Sequence, residues 1–325
     1  MHKQLLNIFG AAAILMIFIA GCRSGQEQPD AEPSDRDTIV TLDGRAFRPD
    51  LPAGNVLDTI IKADLDGTGS DEVVVTSMRP DSMAPPDARL DYLQIYGLDS
   101  LSGRYRLLLS DSMRWGTEAG LGDLSTTGSR ELIIPINSGG NDVIASKGMH
   151  IYSGAGGTVR RVYSTSRGNP FIEQRLEGRP PLLIVTGQYW PPFLTHAQAI
   201  SYNEDYLVFR NGEFISDRSE LRERSMGAAQ LALKDYAELR KVYAAVPAPA
   251  ESSPADSLEP ADTLAAEGMA DTVHPLFIPA ARAIINFKRA EAIRSLRSFW
   301  GSEREFLQRR LPPAQFAELE QISGG

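Results

Sequence analysis

Short aliphatic runs bounded by Asp, Gly and Ser recur through the middle of the chain. The clearest are Val73-Val74-Val75, Leu132-Ile133-Ile134 and Leu182-Leu183-Ile184-Val185. A continuous apolar run of this length, rich in β-branched residues and flanked by turn formers, predicts a strand that is buried on both faces. The pattern therefore indicates a buried strand at three positions along the chain.

Each buried run belongs to a longer repeated segment. Residues 64–75 match residues 123–134 at six of twelve positions, with an offset of 59 residues, and a more divergent third copy runs from 173 to 185. A hairpin pattern follows each copy, and its strongest signal is Asn211-Gly212 between two apolar runs. Repeats of this length made of short antiparallel strands predict a mainly β fold of blade-like repeats, a small or partial β-propeller.

One or two further strands are predicted before the first repeat, between Thr38 and Phe47. They leave three alternatives open: a partial fourth blade, a sheet that stays open, or a sandwich. The sequence does not decide between them.

The apolar periodicity changes from strand to helix after residue 225. Leu231, Tyr236, Leu239 and Val242 are near helical spacing, and Ile285, Ile293, Leu296 and Trp300 form a second apolar stripe. Between them lies a Pro/Ala/Ser run with acids and no base, which predicts a disordered linker. The predicted organisation is a β-repeat domain at 38–225, a helix at 226–246, an acidic linker at 247–274 and a helical C-terminal segment at 275–325.

The N-terminus carries an export pattern. Lys3 precedes 13 apolar or glycine residues, Ile8 to Ala20, which is short for a membrane-spanning helix and typical of a signal peptide. The run ends in Ile19-Ala20-Gly21-Cys22, which resembles the lipobox of bacterial lipoproteins. The resemblance implies a signal peptide at 1–21, lipid on Cys22, a polar tether at 22–37 and attachment to a membrane outside the cytoplasm. Arg23 after the cysteine favours the outer membrane, facing the periplasm or the cell surface.

Composition narrows the classes of partner. The 325 residues include 33 Lys and Arg against 42 Asp and Glu, a net charge of −9, and a single cysteine. An acidic chain is a poor candidate for binding nucleic acid, because attraction to phosphate dominates that affinity. One cysteine excludes internal disulfides and zinc knuckles.

One segment carries recognisable chemistry, the loop before the first buried run. Its pattern is Asp64-x-Asp66-Gly67-Thr68-Gly69-x-x-Glu72, which resembles the FG-GAP/VCBS repeat of integrin α-chain propellers and bacterial surface proteins. In that family alternate oxygen-bearing residues of a short loop bind Ca²⁺, and Ca²⁺ accepts six to eight oxygen ligands at flexible geometry. The resemblance implies a structural calcium site with ligands Asp64, Asp66, Thr68, Ser70 and Glu72.

Departures from the FG-GAP/VCBS pattern limit the prediction of calcium binding in all three loops. Thr68 stands where the family usually has Asp or Asn, which should weaken the site. The second loop has Ser125 and Thr127 where carboxylates are wanted, and the third has no plausible ligand set. An Asp/Gly-rich turn that merely caps a strand remains the alternative for the first loop.

A second notable segment is Tyr189-Trp190-Pro191-Pro192-Phe193. If exposed, Tyr189, Trp190 and Phe193 would form a platform for a sugar or a protein partner. The alternative is that these aromatic side chains fill the core or receive the C-terminal helix.

No catalytic motif is present: the chain has no His-Glu-x-x-His, no Walker loop and no Gly-x-Ser-x-Gly. We therefore expect a binding or scaffold lipoprotein with a protein or glycan partner, and no enzyme. The alternatives are a component of envelope assembly, or an enzyme acting on envelope polymers, whose carboxylates would not be evident from sequence.

Overall fold

The computed structural model describes residues 39–80, 90–125, 128–176, 178–195, 198–246 and 273–324. The predicted signal peptide, Cys22, the tether and nearly all of the acidic linker lie outside these residues. So does Thr127, which was considered as a metal ligand in the second loop.

The described residues are mainly β with helices at the C-terminal end, which confirms this coarse part of the fold class predicted from the sequence, whereas the propeller arrangement stays a prediction. The strands are β1 (Val40–Leu42), β2 (Arg45–Phe47), β3 (Val56–Ala63), β4 (Glu72–Met78), β5 (Leu90–Asp99), β6 (Arg104–Gly116), β7 (Gly120–Gly122), β8 (Glu131–Asn137), β9 (Lys147–Ser153), β10 (Arg160–Thr165), β11 (Phe171–Glu173), β12 (Leu182–Tyr189), β13 (Ile200–Arg210) and β14 (Glu213–Ser216). The helices are a single turn, α1 (Val143–Ser146), and then α2 (Arg218–Ala244), α3 (Phe277–Arg289), α4 (Ile293–Gln308) and α5 (Pro313–Ser323).

Strands β3 to β14 fall into three successive antiparallel sets of four, which we call the first repeat (β3–β6), second repeat (β7–β10) and third repeat (β11–β14). In each repeat an eight-residue loop joins the first strand to the second. We call these loop 1 (64–71), loop 2 (123–130) and loop 3 (174–181). The second strand of each repeat is one of the buried aliphatic runs, because it is covered on both faces.

The first two repeats share one eight-stranded sheet. The end of β6 and the short strand β7 both pair with the same edge of β8, at Gly116↔Ile136 and Gly120↔Ile133. The third repeat forms its own four-stranded sheet, and β1 and β2 pair only with each other. In the part of the chain that is described, no sheet closes into a barrel or a propeller.

The repeats stack face to face. Because successive side chains of a strand point to opposite faces, one strand can contribute to an apolar cluster on each side of its repeat. Val74 and Leu93 of the first repeat share an apolar cluster with Leu132, Ile134 and Tyr152 of the second. The opposite face of the second repeat packs on the third through the residues Met149, Ile151, Leu183 and Phe209. Each of these side chains is almost fully buried, which stabilises the fold by about 1.5–3 kcal/mol per residue.

Other elements cover both outer faces of the stack. The β1–β2 hairpin places Leu42 and Phe47 on Val73 and Val75 of the first repeat. At the other end Leu221 of α2 packs on the outer face of the third repeat, against Leu182, Ile184, Tyr206 and Val208. The segment before the first repeat therefore forms a two-stranded cover.

The four C-terminal helices pack together around Phe277, Ile284, Leu307 and Leu319. Helix α2 begins at Arg218, eight residues before the start predicted from the sequence. Residues 218–224 are mostly charged and have no apolar stripe, but Asp217 caps the helix by accepting the backbone N–H of Glu220. Of the helices described, none is both long and apolar enough to cross a membrane.

Candidate metal centre

Loop 1 brings three carboxylates together. One oxygen from each of Asp64, Asp66 and Glu72 lies within 4.8 Å of the others. Asp64 directly follows β3, and Glu72 is the first residue of β4, so the loop returns the chain to where it left the sheet. Among the residues that the structure describes, these three form the one acidic group with this spacing.

Backbone amides hold the loop in a tight curl. The Asp64 carboxylate accepts the N–H of Gly67 at 2.7 Å and that of Gly69 at 2.9 Å. Both glycines have positive φ, 76° and 83°, in the region that disfavours a side chain. The Asp66 carboxylate accepts the N–H of Thr68 at 3.0 Å. These bonds orient the two aspartates before any ligand arrives.

Glu72 is the buried member of the group, with 4% of its surface exposed. Its Oε2 accepts the backbone N–H of Leu65 at 2.8 Å. Burial raises the pKa of the Glu72 carboxyl, and the nearby charges of Asp66 and Asp64 raise it further. A cation between the three carboxylates would offset both effects, because an opposite charge favours the ionised form.

The two other predicted ligands, Thr68 and Ser70, are exposed at the outside of the loop. Three carboxylates fall short of the coordination that Ca²⁺ prefers, so a bound ion would also need hydroxyl or carbonyl oxygens from the loop, or water. The assignment of Thr68 and Ser70 as ligands stays a prediction.

Loop 2 repeats the architecture with different chemistry. Glu131 is fully buried and accepts the backbone N–H of Leu124 at 2.7 Å. Ser125 occupies the position of Asp66, and its hydroxyl lies 3.2 Å from that of Ser129. The hydroxyl of Ser153 donates to Glu131 at 3.4 Å. Loop 2 therefore surrounds its buried carboxyl with hydroxyl groups and one further carboxylate, that of Asp123, where loop 1 has two further carboxylates.

Loop 3 holds a cation of its own, the guanidinium of Arg175. Its side chain is 7% exposed and lies 3.5 Å from Glu220 and 3.7 Å from Asp217 on the first turn of α2. Its Nε also donates to the carbonyl of Pro180 at 2.7 Å. A buried positive charge at this position disfavours a metal ion, in agreement with the sequence, where this loop lacks ligands.

Loop 1 also forms part of the contact between the first two repeats. The carbonyl of Asp64 accepts the N–H of Arg130 at 3.0 Å, and the carbonyl of Leu65 accepts that of Gly154 at 2.9 Å. A side chain at Gly154 would meet Asp66, since a Cβ built there lies 2.7 Å from the Asp66 Cβ. The acidic group is therefore fixed on one side by its own strands and on the other by the second repeat.

The three residues of the aromatic segment have different environments. The Phe193 ring lies 5.2 Å from that of Phe277 on α3, and Tyr189 packs against the helical cluster. Trp190 is 48% exposed, and its indole N–H donates to the carbonyl of Leu194. Tyr189 and Phe193 thus contact the helices, whereas part of Trp190 faces solvent.

Sequence reasoning did not find a polar cleft on the first repeat. It has a volume of about 430 Å³, and its lining includes Asn55, Arg79, Asp91, Tyr92 and Ser112. These residues come from separate strands and loops and share no motif. The available sequence signal for the cleft was the alternation of side chains along β5, which places Tyr92 on the same face as Gln94 and Tyr96.

No protein-family model and no curated protein matches this chain. Among solved structures it is similar to an exotype rhamnogalacturonan lyase, YesX, at 14% identity and a TM-score of 0.29, over 56% of this chain and 35% of that one. Another rhamnogalacturonan lyase, YesW, aligns at 16% identity and a TM-score of 0.29, over 56% of this chain and 36% of that one. The chain thus spans about a third of the length of these lyases. Likeness at this level supports no conclusion about fold family or activity.

Proposed function

We propose that this protein is a lipid-anchored binding or scaffold protein of the bacterial envelope, built on an open, propeller-like stack of FG-GAP/VCBS-type repeats with a structural Ca²⁺ in loop 1. The observation that carries the calcium proposal is the meeting of Asp64, Asp66 and Glu72 within 4.8 Å at the contact between the first two repeats. The anchor at Cys22 rests on the lipobox resemblance.

The proposed ion has a mechanical role. Without it, three carboxylates repel one another at the position where loop 1 binds Arg130 and Gly154 of the second repeat. With it, the same carboxylates become ligands that hold the ends of β3 and β4 together. Calcium would then rigidify the contact between repeats, and it would take no part in chemistry.

A thermal melt tests the calcium proposal. A ligand that binds only the folded state stabilises it by about 2.7 kcal/mol at a hundredfold excess over Kd, which shifts the melting temperature by roughly 5 °C or more in a protein of this size. We expect that rise with Ca²⁺ relative to chelator, and we expect Asp64→Asn/Asp66→Asn to abolish it. Asp123→Asn is the matched control, since Asp123 is the loop 2 residue equivalent to Asp64. A wild type with no calcium-dependent shift would leave loop 1 as a plain turn.

The mass of the N-terminal peptide tests the anchor. We expect acylated Cys22 at the N-terminus of protein from membranes, and from Cys22→Ala a chain that carries no lipid and keeps residues 1–21. A mature protein whose N-terminal peptide lacks Cys22 would refute this part of the proposal.

Recognition of a glycan is favoured by the cleft at Tyr92. It offers an amide, a guanidinium, a carboxylate, a hydroxyl and an aromatic ring within about 430 Å³, the mixture that a polyhydroxylated ring can satisfy. Saturation-transfer NMR with a panel of oligosaccharides tests this reading. Binding that is lost in Asp91→Ala and Arg79→Ala, and retained in the exposed-pair variant Arg222→Ala, would support it. If no oligosaccharide of the panel transfers saturation, the glycan reading of this cleft is refuted for that panel.

A further inference from the structure

The hairpin between β5 and β6 ends in an unusually exposed apolar tip. Leu101 in its turn is 97% exposed, and Leu98 and Leu107 behind it are 40% and 45% exposed. We call these three residues the leucine tip. Three solvated leucines on one hairpin are unfavourable in water and typical of a surface that meets another apolar phase.

Positive charge accompanies the leucine tip. Arg104 and Arg106 lie on the same hairpin, both are exposed, and neither forms an ion pair within the part of the chain that is described. The acid beside them, Asp99, accepts the hydroxyl of Ser102 and the N–H of Leu101; these bonds and the nearby charge of Arg106 lower its pKa, so it stays ionised. Two arginines against this one aspartate leave the end of the hairpin, residues 98–107, with a net positive charge. A cationic, leucine-tipped hairpin on a chain with a net charge of −9 is complementary to anionic lipid headgroups.

The described chain begins beside this hairpin. Ile39 precedes Val40, whose cross-strand partner is Phe47. The Phe47 ring lies 5.0 Å from that of Tyr105 on β6, and the Tyr105 hydroxyl donates to Asp43 at 3.5 Å. The tether from Cys22 therefore joins the folded domain at the end that carries the leucine tip.

The tether has the right length for the hairpin to reach the membrane. Sixteen residues separate Cys22 from Ile39. A chain of that length spans at most about 55 Å even when it is fully extended. The end of the domain that carries the tether is thereby held near the bilayer.

We propose that the β5–β6 hairpin is a membrane-contact element: the leucine tip enters the headgroup region of the bilayer that holds Cys22, with Arg104 and Arg106 at the anionic surface. This inference rests on the lipid anchor of the proposed function, and it assigns the anchored protein a second, non-covalent contact.

The test uses the lipidated full-length chain in vesicles of phosphatidylethanolamine and phosphatidylglycerol. Cys22 is the only cysteine and its sulfur is alkylated, so Leu101→Cys can be labelled selectively with an environment-sensitive fluorophore. Leu176→Cys is the matched control, because Leu176 is an isolated leucine, 82% exposed, in loop 3. We expect a blue shift and quenching by spin-labelled lipid at position 101 and neither at position 176.

The charges are tested with the same label. We expect Arg104→Ser/Arg106→Ser to weaken the contact of an unlipidated Cys22→Ser chain, produced without residues 1–21, with these vesicles by about fivefold per arginine. Phosphatidylcholine vesicles should weaken it similarly, as should high salt.

The outcomes for anchor and hairpin are separate. A chain that pellets with vesicles while its Leu101 label matches the Leu176 label keeps its anchor and overturns the hairpin inference. A chain that proves not to be acylated loses the anchor, and the Cys22→Ser/Leu101→Cys chain, labelled at its single cysteine, still decides the hairpin contact at saturating lipid. A label at position 176 that shifts as much as the one at 101 would also overturn the inference, because it would show non-specific adsorption.

Discussion

Glu72 and Glu131 occupy the same place in two consecutive repeats. Each begins a buried strand, and each accepts the backbone N–H of the leucine seven residues before it, at 2.8 Å for Leu65 and 2.7 Å for Leu124. Two buried glutamates thus close two loops in the same way. Their surroundings differ, since Glu72 has two aspartates nearby, whereas Glu131 has one, Asp123, together with Ser125 and Ser153. The first three predictions follow from this difference or from the contact that loop 1 makes with the second repeat.

Glu72→Gln should separate the structural bond from the charge. Glutamine keeps an oxygen for the N–H of Leu65 but carries no charge in a buried place where ionisation is disfavoured. In chelator at pH 7 we expect the variant to melt at a higher temperature than wild type. In excess Ca²⁺ we expect the order to reverse, because the variant loses a ligand. Scanning calorimetry in both buffers measures the two melting temperatures. If Ca²⁺ raised the melting temperature of wild type and Glu72→Gln equally, the prediction would be wrong.

The stability of the chelated protein should depend on pH with a defined sign. Burial raises the pKa values of Glu72 and Glu131 in the folded state above the unfolded value of about 4.3. The folded state therefore binds more protons, so these two groups favour folding as pH falls from neutral towards 4.3. Because the lowered pKa values of Glu173, His150 and His274 act in the opposite direction, the contribution is measured as the difference between wild type and the glutamine variants in urea unfolding at several pH values. Ca²⁺ should remove the part due to Glu72, and Glu131→Gln should remove the remainder.

Gly154→Ala should damage the contact between loop 1 and the second repeat. The new Cβ would lie 2.7 Å from the Asp66 Cβ and 2.8 Å from the Leu65 carbonyl oxygen. We expect a loss of about 1–3 kcal/mol in the free energy of unfolding, together with weaker calcium binding by titration calorimetry. Gly227→Ala is the control: nothing lies within 4 Å of its Cβ in α2, so it should stabilise by about 0.5–1 kcal/mol. Unchanged calcium affinity in Gly154→Ala would show that calcium binding does not depend on the contact between loop 1 and the second repeat.

Arg175→Met should destabilise the junction between loop 3 and α2. It removes the buried guanidinium that Asp217 and Glu220 face, but Glu220 keeps its ion pair with Arg224 at 2.6 Å, so we expect a cost of about 1–3 kcal/mol. Arg222→Met removes an arginine from an exposed pair with Glu291 and should change stability by less than about 0.5 kcal/mol. Chemical unfolding of both variants is the measurement, and equal effects would show that burial of Arg175 has no energetic consequence.

Phe193→Ala and Trp190→Ala should distinguish the two alternatives for the aromatic segment. Phe193 packs on Phe277, so its loss should cost about 2 kcal/mol of stability. Trp190 is 48% exposed, so its loss should cost less than about 1 kcal/mol. A Trp190→Ala protein that stays stable but loses a partner would support the platform, and two equally destabilised variants would favour a purely structural segment.

Local chemistry explains which features the sequence could predict. The strand runs at Val73, Leu132 and Leu182, and the Asn211-Gly212 hairpin, depend on neighbours in the chain, and the structure contains the corresponding strands. The start of α2 at Arg218 was missed because its first turns are charged and are capped by a single side chain, Asp217. A helix pattern based on apolar spacing has no signal there.

The features that the sequence did not predict depend on contacts between residues that are far apart in the chain. The group formed by Asp64, Asp66 and Glu72 was predictable because nine consecutive residues contain it. Burial of Arg175 depends on α2, more than 40 residues later in the chain, and the cleft at Tyr92 depends on Asn55, which the chain brings in from before β3. No short window of sequence contains either arrangement.

The covers on the two outer faces have a consequence for the size of the assembly. A stack in which each unit contacts only its neighbours can in principle grow without limit, and its exposed end faces would attract further copies. Here the β1–β2 hairpin terminates one end and Leu221 of α2 the other. The array is therefore finite at three units. Removal of either cover would expose an apolar face to solvent. We therefore expect a chain truncated at either cover to self-associate under conditions in which it is still folded.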